Sequence, residues 1–204
     1  MSRAYTTSPL ASPRQRRAVA PLDPNHTLLI SCFDAVLPLE QMGLSVRGVP
    51  CAEVRSPAHL VAPWNASAVD DSTSLMLSLS MRETHDIVIC GHMECRSLEA
   101  FLDEDRGWHL FQLLSQMPAA RATIDLVRRN YGEVEGDALR EVLAQENVLT
   151  QVDHMLTYPQ LTRDDGPRVH AWLYDERDIS VWAYSFDESE FVRYTPPGFG
   201  GNEA

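Results

Sequence analysis

The sequence predicts an α/β fold with a mostly parallel central sheet, one antiparallel edge strand and flanking helices. Two observations predict this fold. Apolar runs of strand length alternate along the chain with longer segments whose apolar residues recur at helical spacing, a pattern typical of parallel sheets covered by helices. Late in the chain, two strand-like runs are separated only by the short polar turn 175–178, which predicts a closing antiparallel hairpin.

The individual elements follow from local patterns. The clearest strand is 86–90 (DIVIC), which is β-branched and ends before Gly91. The longest helix is 137–156, where apolar residues form a stripe along one side. The other predicted elements, in chain order, are strands at 26–31 and 50–55, helical segments at 72–83, 97–102, 108–115 and 119–129, and strands at 169–174 and 180–184.

Length and composition limit the classes of protein to consider. The chain has 204 residues, 44% of them hydrophobic and 23% charged, which suits one soluble domain with a sizeable core. Its net charge of -12 argues against nucleic acid as a partner, because phosphate binding needs a basic face. No apolar run approaches the roughly 18 residues of a membrane span, so we expect no membrane partner.

We divide the chain into an N-terminal arm at 1–25, one domain at 26–185 and a C-terminal tail at 186–204. Residues 1–22 contain arginines but no acidic residue, and no apolar export signal follows them. We expect this basic arm to pack on a partner subunit or to stay disordered. The expected location is the cytoplasm. An organelle or microcompartment is the alternative, because the arm has some transit-peptide character.

Cysteine and histidine are spaced in a way that indicates chemistry. The chain has four cysteines, namely Cys32, Cys51, Cys90 and Cys95. Without a visible export signal we expect no disulfide framework. In such a setting, spaced cysteine and histidine residues indicate a metal site or a catalytic site.

The most informative segment is 90–95 (CGHMEC), which lies where a predicted strand ends and a helix begins. His92 and Cys95 are three residues apart and can face the same point on a helical turn. Cys32 also follows a strand, and a parallel sheet would place it on the same rim. Two thiolates and one imidazole suit Zn²⁺, and three protein ligands leave a fourth position for water, substrate or another side chain.

The residues alone leave a second interpretation open. Cys90 and Cys95 can be read as small buried side chains, and His92 as a polar residue at the rim of the sheet. The HxxC spacing by itself does not exclude this interpretation.

Four motifs in the same order resemble those of the β-class carbonic anhydrase family. Residues 90–95 resemble its CGHxxCG motif, and 32–35 (CFDA) resemble the start of its CxDSR or CxDAR motif. Residues 146–159 are similar to its ENVxxQ…LxTxP segment, and 169–175 (VHAWLYD) resemble its VHGWxYD strand. The chain is therefore identified as a divergent member of that family, with a β-carbonic anhydrase-like fold.

The resemblance implies a function and a set of roles. Zinc would be held by Cys32, His92 and Cys95, and would activate a water molecule for attack on carbon dioxide, giving bicarbonate. Asp34 matches the carboxylate that accepts a hydrogen bond at the family's reaction centre. The resemblance also implies a homodimer or a higher oligomer in which the sheet continues across subunits.

The sequence departs from the family pattern around this site. The arginine that normally follows the Asp34 position and pairs with it is missing, because one residue is deleted between Ala35 and Val36. Asp34 would then be able to become a fourth zinc ligand and close the site. The family's RNAGN loop is replaced at 55–59 (RSPAH), and Arg96 replaces the glycine after the last ligand.

Arg96 is a candidate catalytic residue on one hypothesis, in which its guanidinium replaces the lost arginine as the partner of Asp34. Alternatively it points into solvent or the dimer interface, and Arg55 is another possible partner. Three functions therefore remain open. They are a working carbonic anhydrase, a zinc enzyme acting on a substrate such as carbonyl sulfide or carbon disulfide, and a non-enzymatic zinc protein. We favour the first.

Overall fold

A six-stranded sheet organises the part of the chain that the structure describes. The structure is a computed structural model and describes residues 22–64, 75, 83–102 and 117–196. The predicted helix at 108–115, nearly all of the helix at 72–83 and most of the N-terminal arm lie outside these residues.

The predicted strands and helices that the structure describes begin and end within two residues of the expected bounds, and three short strands, at 45–46, 49–50 and 190–194, were not predicted. The strands are β1 (Thr27–Cys32), β2 (Ser45–Val46), β3 (Val49–Pro50), β4 (Ala52–Ser56), β5 (Asp86–His92), β6 (Arg168–Asp175), β7 (Ser180–Ser185) and β8 (Glu190–Tyr194). The helices are α1 (Arg96–Leu102), α2 (Pro118–Asn130) and α3 (Gly136–Met155). Short 3₁₀ turns occupy Pro24–His26, Pro57–His59 and Pro159–Leu161.

The strand order in the main sheet is β4-β1-β5-β6-β7-β8, and β2 and β3 form a separate antiparallel pair. β1 runs parallel to β4 and β5, and β5 runs parallel to β6. β6 and β7 form the predicted hairpin. The prediction of a mostly parallel sheet with an antiparallel edge is confirmed.

The antiparallel edge holds a second strand that the sequence did not predict. β8 falls within the segment assigned to the C-terminal tail, and it pairs with β7 through the register from Val181↔Tyr194 to Ser185↔Glu190. Its sequence, EFVRY, is short and half polar, so it gives little periodic signal. Pairing with β7 supplies the backbone hydrogen bonds that order it.

The sheet is covered on both faces, which explains why its central strands read as continuous apolar runs. One face packs on α3, which in turn packs on α2, and Ile30 and Ile89 of the sheet are buried in one cluster with Val148 of α3. The opposite face buries Val88 and Trp172 in a second apolar layer. Within the described ranges, no helix combines the length and apolar character needed to cross a membrane.

A polar network ties α3 to the loop after β4. The Asn147 side-chain amide donates a hydrogen bond to the backbone oxygen of Ala58 at 2.9 Å, and its oxygen accepts one from Thr123 at 2.7 Å. The Gln151 oxygen accepts the backbone N–H of Val61 at 2.9 Å. Because these groups are buried and paired, they fix this loop against the core. The backbone N–H of Ala58 in this loop also contacts the sulfur of Cys32.

Candidate metal centre

The candidate site lies at the carboxyl ends of β1 and β5. These strands are parallel neighbours, with Ser31 opposite Cys90. Cys32 is the last residue of β1, and His92 is the last residue of β5. Cys95 directly precedes α1. Parallel strands present their ends at one edge of the sheet, so three side chains distant in sequence converge there.

Cys32, Asp34, His92 and Cys95 form one cluster. Each offers one potential ligand atom, and these four atoms all lie within 4.8 Å of one another. The two sulfurs are 3.6 Å apart, and Nε2 of His92 lies 3.0 Å from Oδ1 of Asp34. Both cysteines and His92 are buried, while the Asp34 side chain is 13% exposed. The structure thus brings together all three predicted ligands and Asp34.

The donor set fits a zinc ion. Zinc–sulfur bonds of about 2.3 Å at the tetrahedral angle place two thiolates roughly 3.8 Å apart, and the sulfurs of Cys32 and Cys95 are 3.6 Å apart. Two thiolates, one imidazole and one carboxylate are ligand types that zinc accepts together. The residues present therefore match the predicted cofactor in chemistry and spacing.

Asp34 has partners other than an arginine side chain. Its Oδ2 accepts a hydrogen bond from the backbone N–H of Arg96 at 3.1 Å, and the Arg96 side chain is exposed. Arg55 donates instead to the backbone oxygen of Ala35 and pairs with Glu53. Among the described residues, the ion pairs of Asp34 include no guanidinium, so neither candidate arginine occupies the place of the lost one.

Cys32 has two further polar partners, one that donates to its sulfur and one that its thiol can donate to. The backbone N–H of Ala58 donates to its sulfur at 3.1 Å, and the hydroxyl of Ser97 lies 3.9 Å from it. Ala58 stands where the resembling family has a glycine, and its φ of 51° is left-handed. The alanine therefore holds a strained backbone conformation that aims an N–H at the sulfur.

The pKa values of the two cysteines and the histidine in the cluster are shifted far from their ordinary values. The hydrogen bond from Cys95 lowers the pKa of Cys32 to about 5, with a further contribution from His92 and against the effect of burial. The same Cys32–Cys95 bond, together with burial, raises the pKa of Cys95. Burial opposes the charge on His92, but its bonds to Cys32 and Glu176 raise its pKa to about 10. Metal ions bind such groups by displacing their protons.

Glu176 is a residue of the site that the sequence analysis missed. It lies in the turn between β6 and β7, and its carboxylate contacts Nδ1 of His92. Because His92 is opposite Tyr174 in the β5–β6 register, the turn that follows β6 lies next to the end of β5. The sequence held one signal for this residue: it is acidic and directly follows β6, the strand that pairs with ligand-bearing β5.

Cys51, Cys90 and His59 are buried outside the cluster and have structural roles. Cys90 and Cys51 are buried in the apolar layer on the opposite face of the sheet, so they are small core residues. His59 is fully buried and its Nε2 accepts from the Asn147 amide at 2.9 Å. Burial lowers the pKa of His59 to about 3, which keeps its ring neutral.

Comparison with known proteins gives one family. The family model described as carbonic anhydrase matches residues 27–181. Two curated relatives named carbonic anhydrase, from Synechocystis sp. and Synechococcus elongatus, are each 29% identical to this chain. The matches cover 68% and 81% of this chain but 52% and 62% of the relatives. The chain thus spans only about half to three fifths of the length of those relatives.

Solved structures agree on the fold. The structure of the β-carbonic anhydrase CcaA superposes with a TM-score of 0.72 at 26% identity, covering 84% of this chain and 78% of that one. A structure from Sordaria macrospora, described as one of two tetrameric β-carbonic anhydrases, gives a TM-score of 0.58 at 19% identity. That match covers 89% of this chain and 84% of the other, and it supports the shared fold.

Proposed function

Because the chain belongs to the β-class carbonic anhydrase family, we propose that it binds one zinc ion per subunit and catalyses the reversible hydration of carbon dioxide to bicarbonate. The observation that carries this proposal is the cluster of Cys32, Asp34, His92 and Cys95 at the rim of the sheet. Cys32, His92 and Cys95 would hold the zinc, and Asp34 would act beside it.

Zinc, when bound, supplies a Lewis acid that lowers the pKa of water towards neutrality. Asp34 would accept a hydrogen bond from the attacking water and orient it towards the carbon of carbon dioxide. Its Oδ2 is held by the Arg96 amide, which leaves Oδ1 for this role. One O–C bond forms while one C=O π bond of carbon dioxide opens and leaves its electron pair on that oxygen; the water loses one proton to solvent buffer, so the products are bicarbonate and a proton.

A closed site is the second candidate, and a specific observation favours it. Oδ1 of Asp34 lies among the potential ligand atoms, 3.0 Å from Nε2 of His92. Two zinc bonds of about 2.0–2.1 Å at the tetrahedral angle separate their donor atoms by roughly 3.3 Å. Asp34 is thus near the position of a fourth ligand. In that arrangement water would not reach the metal, and the protein would be silent or would act on another substrate.

Carbon dioxide hydration distinguishes the two candidates. We would measure it by stopped flow on protein with one confirmed zinc per chain, at about pH 7 and about pH 8.5, which bracket the usual ionisation of zinc-activated water. Hydration above the buffer rate at either pH supports the working enzyme. Silence at both values with zinc fully loaded supports the closed site.

Variants at Asp34 sharpen this test. In a working enzyme, Asp34→Asn should lose most of the activity and keep its zinc. In a closed site, the same change should weaken zinc binding, because a ligand is lost. Asp187→Asn is the matched control, because Asp187 is exposed in the turn after β7 and that strand runs away from the metal rim. It should keep both zinc and activity.

We also propose that the chain self-associates. Phe33 and Val36 flank Asp34 and are 55% and 85% exposed, and exposed apolar side chains beside a site favour a covering partner. The tetrameric Sordaria macrospora relatives support assembly in general. A dimer or larger species in light scattering is expected, and a monomer at micromolar concentration contradicts it. The cytoplasmic location stays a prediction.

A further inference from the structure

Glu176 bridges the turn after β5 with both of its carboxylate oxygens. Oε1 contacts Nδ1 of His92. Oε2 accepts the backbone N–H of Met93 at 3.1 Å and that of Glu94 at 3.3 Å. The side chain is 24% exposed, so these contacts are partly shielded from water. A single side chain from another strand turn therefore contacts three consecutive residues of the metal-binding segment.

The chemistry of this contact determines which nitrogen of His92 is available. A carboxylate only accepts hydrogen bonds, so Nδ1 carries the proton that joins it to Glu176. In a neutral ring the lone pair is then on Nε2. Nε2 faces the cluster, 3.0 Å from Oδ1 of Asp34, so a proton that it shares with that carboxylate is the one that a metal ion would displace. The protonation pattern that Glu176 favours is thus the pattern that a metal ligand requires.

The backbone around Glu176 is held in place before any metal binds. The preceding strand pairs with β5 up to the His92↔Tyr174 position, and the backbone oxygen of Tyr174 accepts the N–H of Met93 at 3.0 Å. Asp175 accepts the backbone N–H of Arg177 at 3.0 Å and also pairs with its guanidinium. Because these contacts fix the turn, little ordering is left for Glu176 when His92 binds a metal.

We propose that Glu176 is a positioning residue of the metal centre, which holds His92 with Nδ1 protonated and directs Nε2 at the zinc. This rests on the zinc binding proposed above, but it does not depend on whether the site hydrates carbon dioxide. A hydrogen bond to the nitrogen of a histidine that does not bind the metal orients the ring and makes it a stronger ligand. Its loss typically lowers metal affinity about 10- to 100-fold.

Zinc affinity tests this role directly. Glu176→Gln removes one of the two acceptor oxygens and introduces an amide donor, so it cannot satisfy His92 and the two backbone N–H groups together. We expect the dissociation constant for zinc, measured by competition with a chelator, to rise about 10- to 100-fold. Glu188→Gln is the control, because it removes an equal charge from an exposed residue in the turn after β7, away from the metal rim, and its zinc affinity should match the wild type.

Nuclear magnetic resonance of the zinc-loaded wild type, with ¹⁵N-labelled histidine, gives a second readout that needs no variant. We expect Nδ1 of His92 to carry a proton in slow exchange with water and Nε2 to carry the metal. Zinc on Nδ1, or an unchanged affinity in Glu176→Gln, would overturn the proposal. Absent carbon dioxide hydration together with the expected affinity loss would instead reject only the proposed enzymatic function.

Discussion

Oδ2 of Asp34 accepts a hydrogen bond from the backbone amide of Arg96, 3.1 Å away. The exposed side chain of Arg96 takes no part in this contact. A main-chain N–H therefore holds one oxygen of a carboxylate that its family normally pairs with an arginine. An amide fixes a carboxylate with one directional bond and no formal charge, so it restrains Asp34 more weakly than a guanidinium would.

Two variants at Arg96 distinguish the contribution of its backbone N–H to activity from that of its side chain. Arg96→Ala keeps the N–H, and Arg96→Pro removes it at the first residue of α1, where proline is tolerated. We expect Arg96→Ala to stay within about threefold of the wild-type hydration rate, as exposed substitutions usually do. Arg96→Pro should lose about 10- to 100-fold, because a hydrogen bond to a charged group contributes about 1.5–3 kcal/mol.

The readout for both variants is stopped-flow hydration on zinc-loaded protein. A tenfold loss in Arg96→Ala would contradict this assignment and would support the guanidinium as the partner of Asp34. Circular dichroism of Arg96→Pro checks that α1 is retained.

Replacement of Cys95 by serine should abolish stoichiometric zinc binding. A serine hydroxyl stays protonated at neutral pH and replaces a thiolate ligand poorly. Cys90→Ala is the matched control, because Cys90 belongs to the same motif but packs in the apolar layer on the other face of the sheet. Zinc per chain, measured by atomic emission, should fall towards zero in the first variant and stay near one in the second. Full zinc in Cys95→Ser would reject the ligand assignment.

Gly91 is required by the close approach of α3 to the end of β5. A Cβ on residue 91 would lie 2.5 Å from Cγ2 of Val148 and 3.1 Å from Cε1 of His59. Gly91→Ala should therefore lower the free energy of unfolding by about 1–3 kcal/mol. Denaturant titration of the zinc-loaded protein measures it.

A double variant tests the cause of that loss. Val148→Ala removes the closest methyl, so Gly91→Ala combined with Val148→Ala should be more stable than the two separate losses predict, by about 0.5–3 kcal/mol. Additive losses would place the strain elsewhere, with the His59 ring as the next contact.

We expect ionisation of Glu146 to lower the free energy of unfolding as the pH rises. Its side chain is buried and receives a hydrogen bond from the Tyr131 hydroxyl, and burial raises its pKa from 4.5 to about 7. The folded state therefore holds the proton more tightly than the unfolded chain. The resulting stability is complete below about pH 4.5 and is lost as the pH rises to about 7, which amounts to roughly 3 kcal/mol.

Glu146→Gln isolates this effect, because it keeps the shape of the side chain and cannot ionise. The difference in unfolding free energy between the variant and the wild type should move in favour of the variant by roughly 3 kcal/mol from about pH 5 to about pH 8. Any pH dependence of zinc binding is common to both proteins and cancels. Parallel stability curves would contradict the prediction.

The sequence was informative where the signal is local. β5 is an uninterrupted β-branched run and α3 has an extended apolar stripe, so both were predicted to within two residues of their observed bounds. β8 was missed, because its five residues have a weak pattern and become a strand by pairing with β7. For the same reason the sequence predicted the antiparallel pairing of β6 with β7 but not that of β7 with β8.

The residues of the candidate site were likewise predicted from the sequence only in part. The resemblance of two short motifs was enough to select Cys32, His92 and Cys95, which the structure places together. His59 lies in the 55–59 loop that departs from the family pattern, and its complete burial accompanies its hydrogen bond with Asn147. Glu176 was not selected, because an acidic residue after a strand is a weak signal until the strand register places it beside a residue 84 positions earlier.

The sequence by itself determined the family, the strand-helix alternation and the identity of the candidate ligands, because each is encoded by residues close together or by a motif. Only the tertiary structure decided the partners of those ligands. Parallel pairing of β1, β5 and β6 brings Asp34, the Arg96 amide and Glu176 to one rim. Such contacts depend on strand register, which many distant residues set together through packing and backbone hydrogen bonds.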